Sequence, residues 1–265
     1  GGTTVSAGTL QVGNASALGT AKVTVNSGAT LNIYGYAIGN AIDLAGTGVS
    51  NAGALQNTNT SQGSTPTLTG TITLLADSYI GGTANYILDS SSSNISGAFV
   101  LTKVGSNTIT LSDANTYSGG TTVSAGTLKA GDNSAFGTNT ITVSSGAILD
   151  VAGYVISRAI NLNGGTILSS TGSGGKVTGG VTLGAATSYF AAASGATLTV
   201  DTLAITDGSS SYAVTSGTSG NTGTVVFSLA NTYDNGTTVA YGTLQAGNNS
   251  AFGTNTITVS SGAIL

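Results

Sequence analysis

The chain repeats itself. Gly1–Gly46 aligns residue for residue with Gly119–Gly164, and Gly119–Leu149 aligns with Asn235–Leu265, where Ser250–Leu265 is identical to Ser134–Leu149. Two long repeats (1–118 and 119–234) and the start of a third (235–265) account for all 265 residues. Self-similarity at a fixed period marks an array in which each unit is stable only when stacked on its neighbours, and this constrains the architecture more than any single residue does.

Within each repeat a second, shorter period appears. Thr4–Ser6, Thr9–Val12, Lys22–Val25 and Thr30–Ile33 alternate apolar and polar residues, separated by Gly, Ser and Asn. Alternation at period two is the pattern of strands with one buried face, and it predicts that Val5, Leu10, Val12, Val23, Val25, Leu31 and Ile33 point inward. The pair Ile141 and Val143 recurs as Ile160 and Leu162, and Leu128 with Ala130 recurs as Leu149 with Val151. Those spacings give coils of roughly 20 residues. The fold predicted is all-β, a right-handed parallel β-helix (β-solenoid), with the three repeat blocks forming one continuous solenoid.

The copies diverge between Thr47 and Ser106 and between Gly165 and Thr222. Strand-like pieces continue there at Thr71–Leu75, Phe99–Thr102, Val181–Leu183, Thr197–Val200, Leu203–Thr206 and Val225–Ser228. Irregular loops are expected over Asp89–Gly97 and Ser170–Gly180, and the most protruding one over Asn51–Thr67. Pro66, the only proline, cannot donate to a ladder and belongs in a turn.

The run at Leu101–Leu128, LTKVGSNTITLSDANTYSGGTTVSAGTL, with echoes at Val225–Leu244 and Gly1–Leu10, resembles the autotransporter-associated β-strand repeat of bacterial surface proteins. The resemblance implies a passenger region displayed extracellularly on the bacterial cell surface, exported through an outer-membrane barrel that is not present in this chain. The chain opens on Gly1, contains no Met and stops partway through a repeat, as expected of a window cut from a longer array.

Composition narrows the chemistry. Charged residues make up 5% of the chain, against roughly a quarter in ordinary domains. Abundant Val, Ile and Thr with a net charge of −4 argue against disorder. There is no His and no Cys, and the nine acidic residues are all Asp. The usual general base, thiol nucleophile and thiolate metal site are thereby excluded. The repeats test the aspartates directly: Asp132 is Asn14 and Asn248 in the other copies, Asp150 is Asn32, Asp43 is Asn161, Asp113 is Leu229 and Asp234 is Ser118. Asn substitutes for Asp in a turn and not as a proton carrier. Asp201 and Asp207 fall outside the aligned part, and both are expected in loops.

No catalytic, cofactor-binding or metal-ligating residues are assigned, no cofactor is expected, and the chain is read as a non-enzyme. Lys129, Lys22 and Arg158 align with neutral residues, so no basic groove for nucleic acid is predicted. The function expected is structural: a stalk, filament or adhesive fibre whose partners are identical chains packed laterally and host or surface glycans. A carbohydrate-binding or carbohydrate-degrading β-helix is the alternative, and ice binding by a Thr-lined face is a third reading. Asn115-Thr116-Tyr117, repeated as Asn231-Thr232-Tyr233, is read as a corner in which Asn bonds backbone and Tyr covers a coil edge. Phe136 and Phe252, with Leu18 in the first copy, are expected in an interior corner, in preference to a sugar-stacking platform.

Overall fold

The computed structural model describes residues 1–61, 63–90, 95–201 and 203–265. Residues 91–94 of the Asp89–Gly97 loop and residue 62 of the Asn51–Thr67 loop lie outside the described residues. Two compact units are formed, Gly1–Asn139 and Thr140–Leu265. Each is a parallel β-solenoid with coils of about 20 residues.

In the first unit one wall stacks Thr3–Val5, Val23–Val25, Ile42–Gly46, Ile72–Gly82, Leu101–Lys103 and Thr121–Val123. A second wall stacks Gly8–Gln11, Ala29–Asn32 and Leu55–Asn57, and a third stacks Thr67–Leu68, Tyr86–Leu88, Thr108–Leu111 and Thr127–Ala130. In the second unit the walls are Ile141–Ser144, Ile160–Asn163, Val181–Leu183 and Ile205–Thr206; then Ile148–Asp150, Thr166–Ser169, Thr187–Ala192, Ala213–Ser216, Thr237–Val239 and Ile257–Val259; then Val155–Ile156, Gly175–Val177, Thr197–Val200, Thr224–Phe227 and Thr243–Ala246. The strand pairs within both units are parallel, as a chain winding in one sense requires.

Register follows the hydrophobic period. Ile141 pairs with Ile160 and Val143 with Leu162, while Val23 pairs with Ile42 and Val25 with Leu44. Like residues therefore stack inside the tube, and a one-residue slip would turn each strand's apolar set outward. Val5, Val12, Val23, Val25, Leu31 and Ile33 are buried as predicted. Leu10 is only half-buried, although it pairs in register with the buried Leu31. Each fully buried Val, Leu or Ile contributes about 1.5–3 kcal/mol.

Val181–Leu183 and Thr197–Val200 coincide with the predicted strands. The strand expected over Thr71–Leu75 extends instead from Ile72 to Gly82. It passes through a register shift, with Leu74 opposite Leu44 but Ser78 opposite Gly46. The extra residues form a bulge that leaves Leu75 exposed. Pro66 lies not in a turn but in irregular chain directly before Thr67–Leu68, its carbonyl accepting Ile87 N at 3.0 Å. Inside the second unit an aromatic column fills one corner: Phe190 meets Phe227 edge-on at 5.2 Å, and Phe227 meets Phe252 at 6.4 Å. Phe136 and Leu18 are buried, so neither forms an external platform.

Candidate functional site: the repeated corner

The residues that recur most faithfully form a hydrogen-bonded corner rather than a reactive centre. Asn115 is buried at a bend and satisfies backbone groups on both sides of its own coil: Oδ1 accepts from Ile95 N at 2.6 Å, and Nδ2 donates to Ala135 O at 2.6 Å and Asp113 O at 3.1 Å. Two residues on, Tyr117 is fully buried. Its hydroxyl lies 2.6 Å from Thr121 Oγ1, which in turn donates to Phe136 O at 2.9 Å. One motif thus ties three successive coils together.

The second example is built identically. Asn231 Oδ1 accepts Ile205 N at 2.7 Å, its Nδ2 donates to Ala251 O, the Tyr233 hydroxyl lies 2.7 Å from Thr237 Oγ1, and Thr237 donates to Phe252 O at 2.9 Å. Asn bonds backbone as predicted, but Tyr does not cover an edge. It occupies the interior because Thr121 and Thr237 supply the partner that a buried phenol needs. Burial pushes the Tyr233 phenol up to about 12 against its hydrogen bond to Thr237, and pushes the Tyr117 phenol up in the same way.

Asp132 and Asp150 bond local backbone at turns, whereas Asp43 lies within the strand Ile42–Gly46. Asp132 Oδ1 accepts Ser134 N at 2.7 Å, and in the other copies Asn14 accepts Ser16 N and Asn248 accepts Ser250 N, each at 2.9 Å. Asp150 accepts Ala152 N at 2.9 Å where Asn32 accepts Tyr34 N at 3.1 Å. A carboxylate and an amide perform the same local task. Asp43 pairs with Lys22, and Asp201 with Lys176 at 2.6 Å. Asp207, directly after Ile205–Thr206, is buried and accepts Tyr212 N and Asp234 N, each at 3.1 Å. Among the described residues no group of three or more acidic side chains is placed to hold a metal ion.

Outward threonines do stack. Thr4, Thr24, Asp43 and Thr73 share one register column, Thr142, Asn161, Thr182 and Thr206 another, and Thr166, Tyr189, Thr215, Thr238 and Thr258 a third. Asp43, Asn161 and Tyr189 interrupt them, so these columns do not form the unbroken Thr face that ice binding requires.

One residue escaped the sequence reading. Lys103 is fully buried, and its Nζ donates to the carbonyls of Val104 at 2.8 Å, Gly105 at 2.9 Å and Ala125 at 3.1 Å. Three acceptors match the three donors of an ammonium group, while burial pulls its pKa down to about 7. Its two-residue spacing from inward Leu101 was the available signal.

Residues 1–12, 101–130 and 221–246 match the Passenger-associated-transport-repeat family, and each of the last two stretches contains the Asn, Tyr and Thr of one corner motif. The chain is 40% identical over 98 residues to the "Adhesin BmaC autotransporter" of Brucella suis biovar 1 (strain 1330). That match covers 36% of this chain and 3% of the relative. No solved structure matches the chain. The corner therefore accompanies both of the longer matched stretches, and the chain carries passenger-associated-transport repeats of the kind found in autotransporter passengers.

Proposed function

We propose that the chain is part of a surface-exposed, secreted passenger and serves there as a non-enzymatic adhesive scaffold. The observation that carries this reading is the repeated corner, whose matched residues are spent on joining coils. The similarity to a named adhesin supports the adhesive part. The test is to display the chain on a non-adherent bacterium and count cells retained on host-cell monolayers. Retention above an undisplayed control is expected, and equal retention overturns the reading.

Lateral packing of identical chains is the finer part of the proposal. It is favoured by the low charge, which leaves little mutual repulsion, and by the exposed apolar side chains of Leu75, Phe99, Val155 and Leu203. Sedimentation should show association that rises with concentration. A strictly monomeric species throughout would remove lateral packing while leaving adhesion intact.

A further inference from the structure

At one aligned turn the two long repeats share a backbone conformation but differ in side chain. Tyr34 and Ala152 are aligned residues, each following the same Asn or Asp turn, and both have left-handed backbones, with φ 48 and φ 49. A side chain in that region is strained, the more so when bulky. The second copy places a small residue there, Ala152, which is buried. The first copy places a tyrosine that is 37% exposed. Strain retained by an exposed aromatic residue points to a use for the ring outside the fold.

The second difference lies beside it. Ala29–Asn32 pairs with Leu55–Asn57, and the aligned Ile148–Asp150 pairs with Thr166–Ser169, so the corners that follow correspond. In the second copy that corner is the short segment 170–174, before Gly175–Val177. In the first copy it is the longer segment 58–66, before Thr67–Leu68. An open cleft of about 290 Å³ lies there, lined by Asn57, Asn59, Thr60, Thr65, Thr83 and Asn85 among other described residues, none of them charged. Insertions on one repeat of an array are where binding surfaces are commonly built.

The cleft is tied to its neighbours. Asn57 Oδ1 accepts Gly35 N at 2.8 Å, its Nδ2 donates to Asn85 O at 2.9 Å, and Asn59 Nδ2 donates to Tyr34 O at 3.2 Å. The main chain of Tyr34 is therefore bonded to the polar lining through Asn59, which sets its exposed ring beside the cleft. Its volume falls near the lower end of small-ligand pockets, roughly 300–1,000 Å³. Amides and hydroxyls without a formal charge suit a neutral polyhydroxylated ligand, and an exposed aromatic ring suits the apolar face of a sugar.

We propose that this cleft, with Tyr34 at its side, binds an uncharged saccharide ring. The proposal rests on the adhesive reading and names the ligand class it would use. The whole chain is applied to an array of neutral, sialylated and sulfated glycans, then titrated with free glucose, galactose and N-acetylglucosamine. Tyr34→Ala should fold normally, because alanine occupies the same conformation at Ala152, and Asn59→Ala removes the tie to Tyr34 without entering the core. Retention on neutral glycans, weakened tenfold or more in both variants and unchanged in Tyr241→Ala, is the expected result. No neutral glycan retained, retention confined to charged glycans, or binding unchanged in both variants overturns the proposal. Surface adhesion by a displayed chain that retains no neutral glycan sinks the cleft alone, whereas neutral-glycan binding without adhesion by the displayed chain sinks the adhesive reading alone.

Discussion

The phenol of Tyr117 donates to Thr121 Oγ1 across 2.6 Å, because the threonine's own proton is directed to Phe136 O. The order of donors in this relay sets the consequence of removing each member. Tyr117→Phe deletes one hydrogen bond and leaves Thr121 bonded to Phe136, so it should cost about 1 kcal/mol. Thr121→Val leaves both the phenol and a buried carbonyl without a partner and should cost about 2–4 kcal/mol. Denaturant unfolding of the two single variants and the double variant measures the coupling. Tyr233→Phe should reproduce the smaller value, since Tyr233 and Thr237 make the same bonds.

Gly137 is fixed by this same tyrosine. It has φ 71, and a Cβ built there would sit 2.7 Å from Tyr117 O and 2.8 Å from its ring. Gly146 has a comparable φ of 75 but open space around the missing Cβ. Gly146→Ala should therefore cost only the left-handed backbone penalty, roughly 1–2 kcal/mol. Gly137→Ala adds a clash with main chain and a buried ring, so its midpoint in thermal unfolding should fall visibly further. Equal shifts for the pair would mean that the ring is free to move aside.

Asn115 carries three backbone contacts that no other side chain replaces. Asn115→Ala strands Ile95 N and Ala135 O in a buried corner and should destabilise by about 2–4 kcal/mol. Asn115→Asp keeps the acceptor for Ile95 N but turns a donor into an anion facing Ala135 O. Urea unfolding near neutral pH should rank the aspartate variant at or below the alanine variant.

The winding and its register could be read in the sequence because aliphatic residues recur at the coil spacing: Ile141 over Ile160 and Val23 over Ile42 are visible as a period in the order of residues alone. Turn roles of Asp132 and Asp150 were legible for a related reason, since the copies supply their own Asp-to-Asn substitutions. What escaped depended on contacts between coils outside the aligned part. The bulge within Ile72–Gly82 is set by two different neighbours pairing with its two halves, and no local pattern announces it. Tyr117 carries a polar tip that suggested an edge, and only the position of Thr121 shows how that tip is satisfied inside. The left-handed backbone of Tyr34 is dictated by a turn shared with Ala152, which the sequence presents as an unremarkable Tyr-to-Ala difference. The cleft beside it is lined by residues from segments 57–66 and 83–85, which the alignment of the copies does not reach.

Lys103 gives the fold a pH dependence whose sign can be worked out. Burial lowers its pKa to about 7 from the ordinary 10.5, so between those values the unfolded chain binds the proton that the folded chain releases. Stability must then rise with pH across that window, and the full penalty of burying the charge is felt below about 7. Tyr86, Tyr117 and Tyr233 act in the opposite sense at higher pH. Their burial raises the phenol pKa, so the stability they contribute is complete below the ordinary value of 10.0 and is lost as pH climbs beyond it. The expected profile is a climb from neutral pH to a maximum near 10, followed by a decline. Lys103→Met removes the titrating group while retaining the apolar stem, and should flatten the climb without touching the decline. Lys103→Ala should in addition lose stability at every pH, because it opens a cavity beside three carbonyls left without a donor. Urea unfolding of the wild type and both variants from pH 6 to 11 checks this, and a slope between 7 and 10 that persists in Lys103→Met assigns the effect to another group.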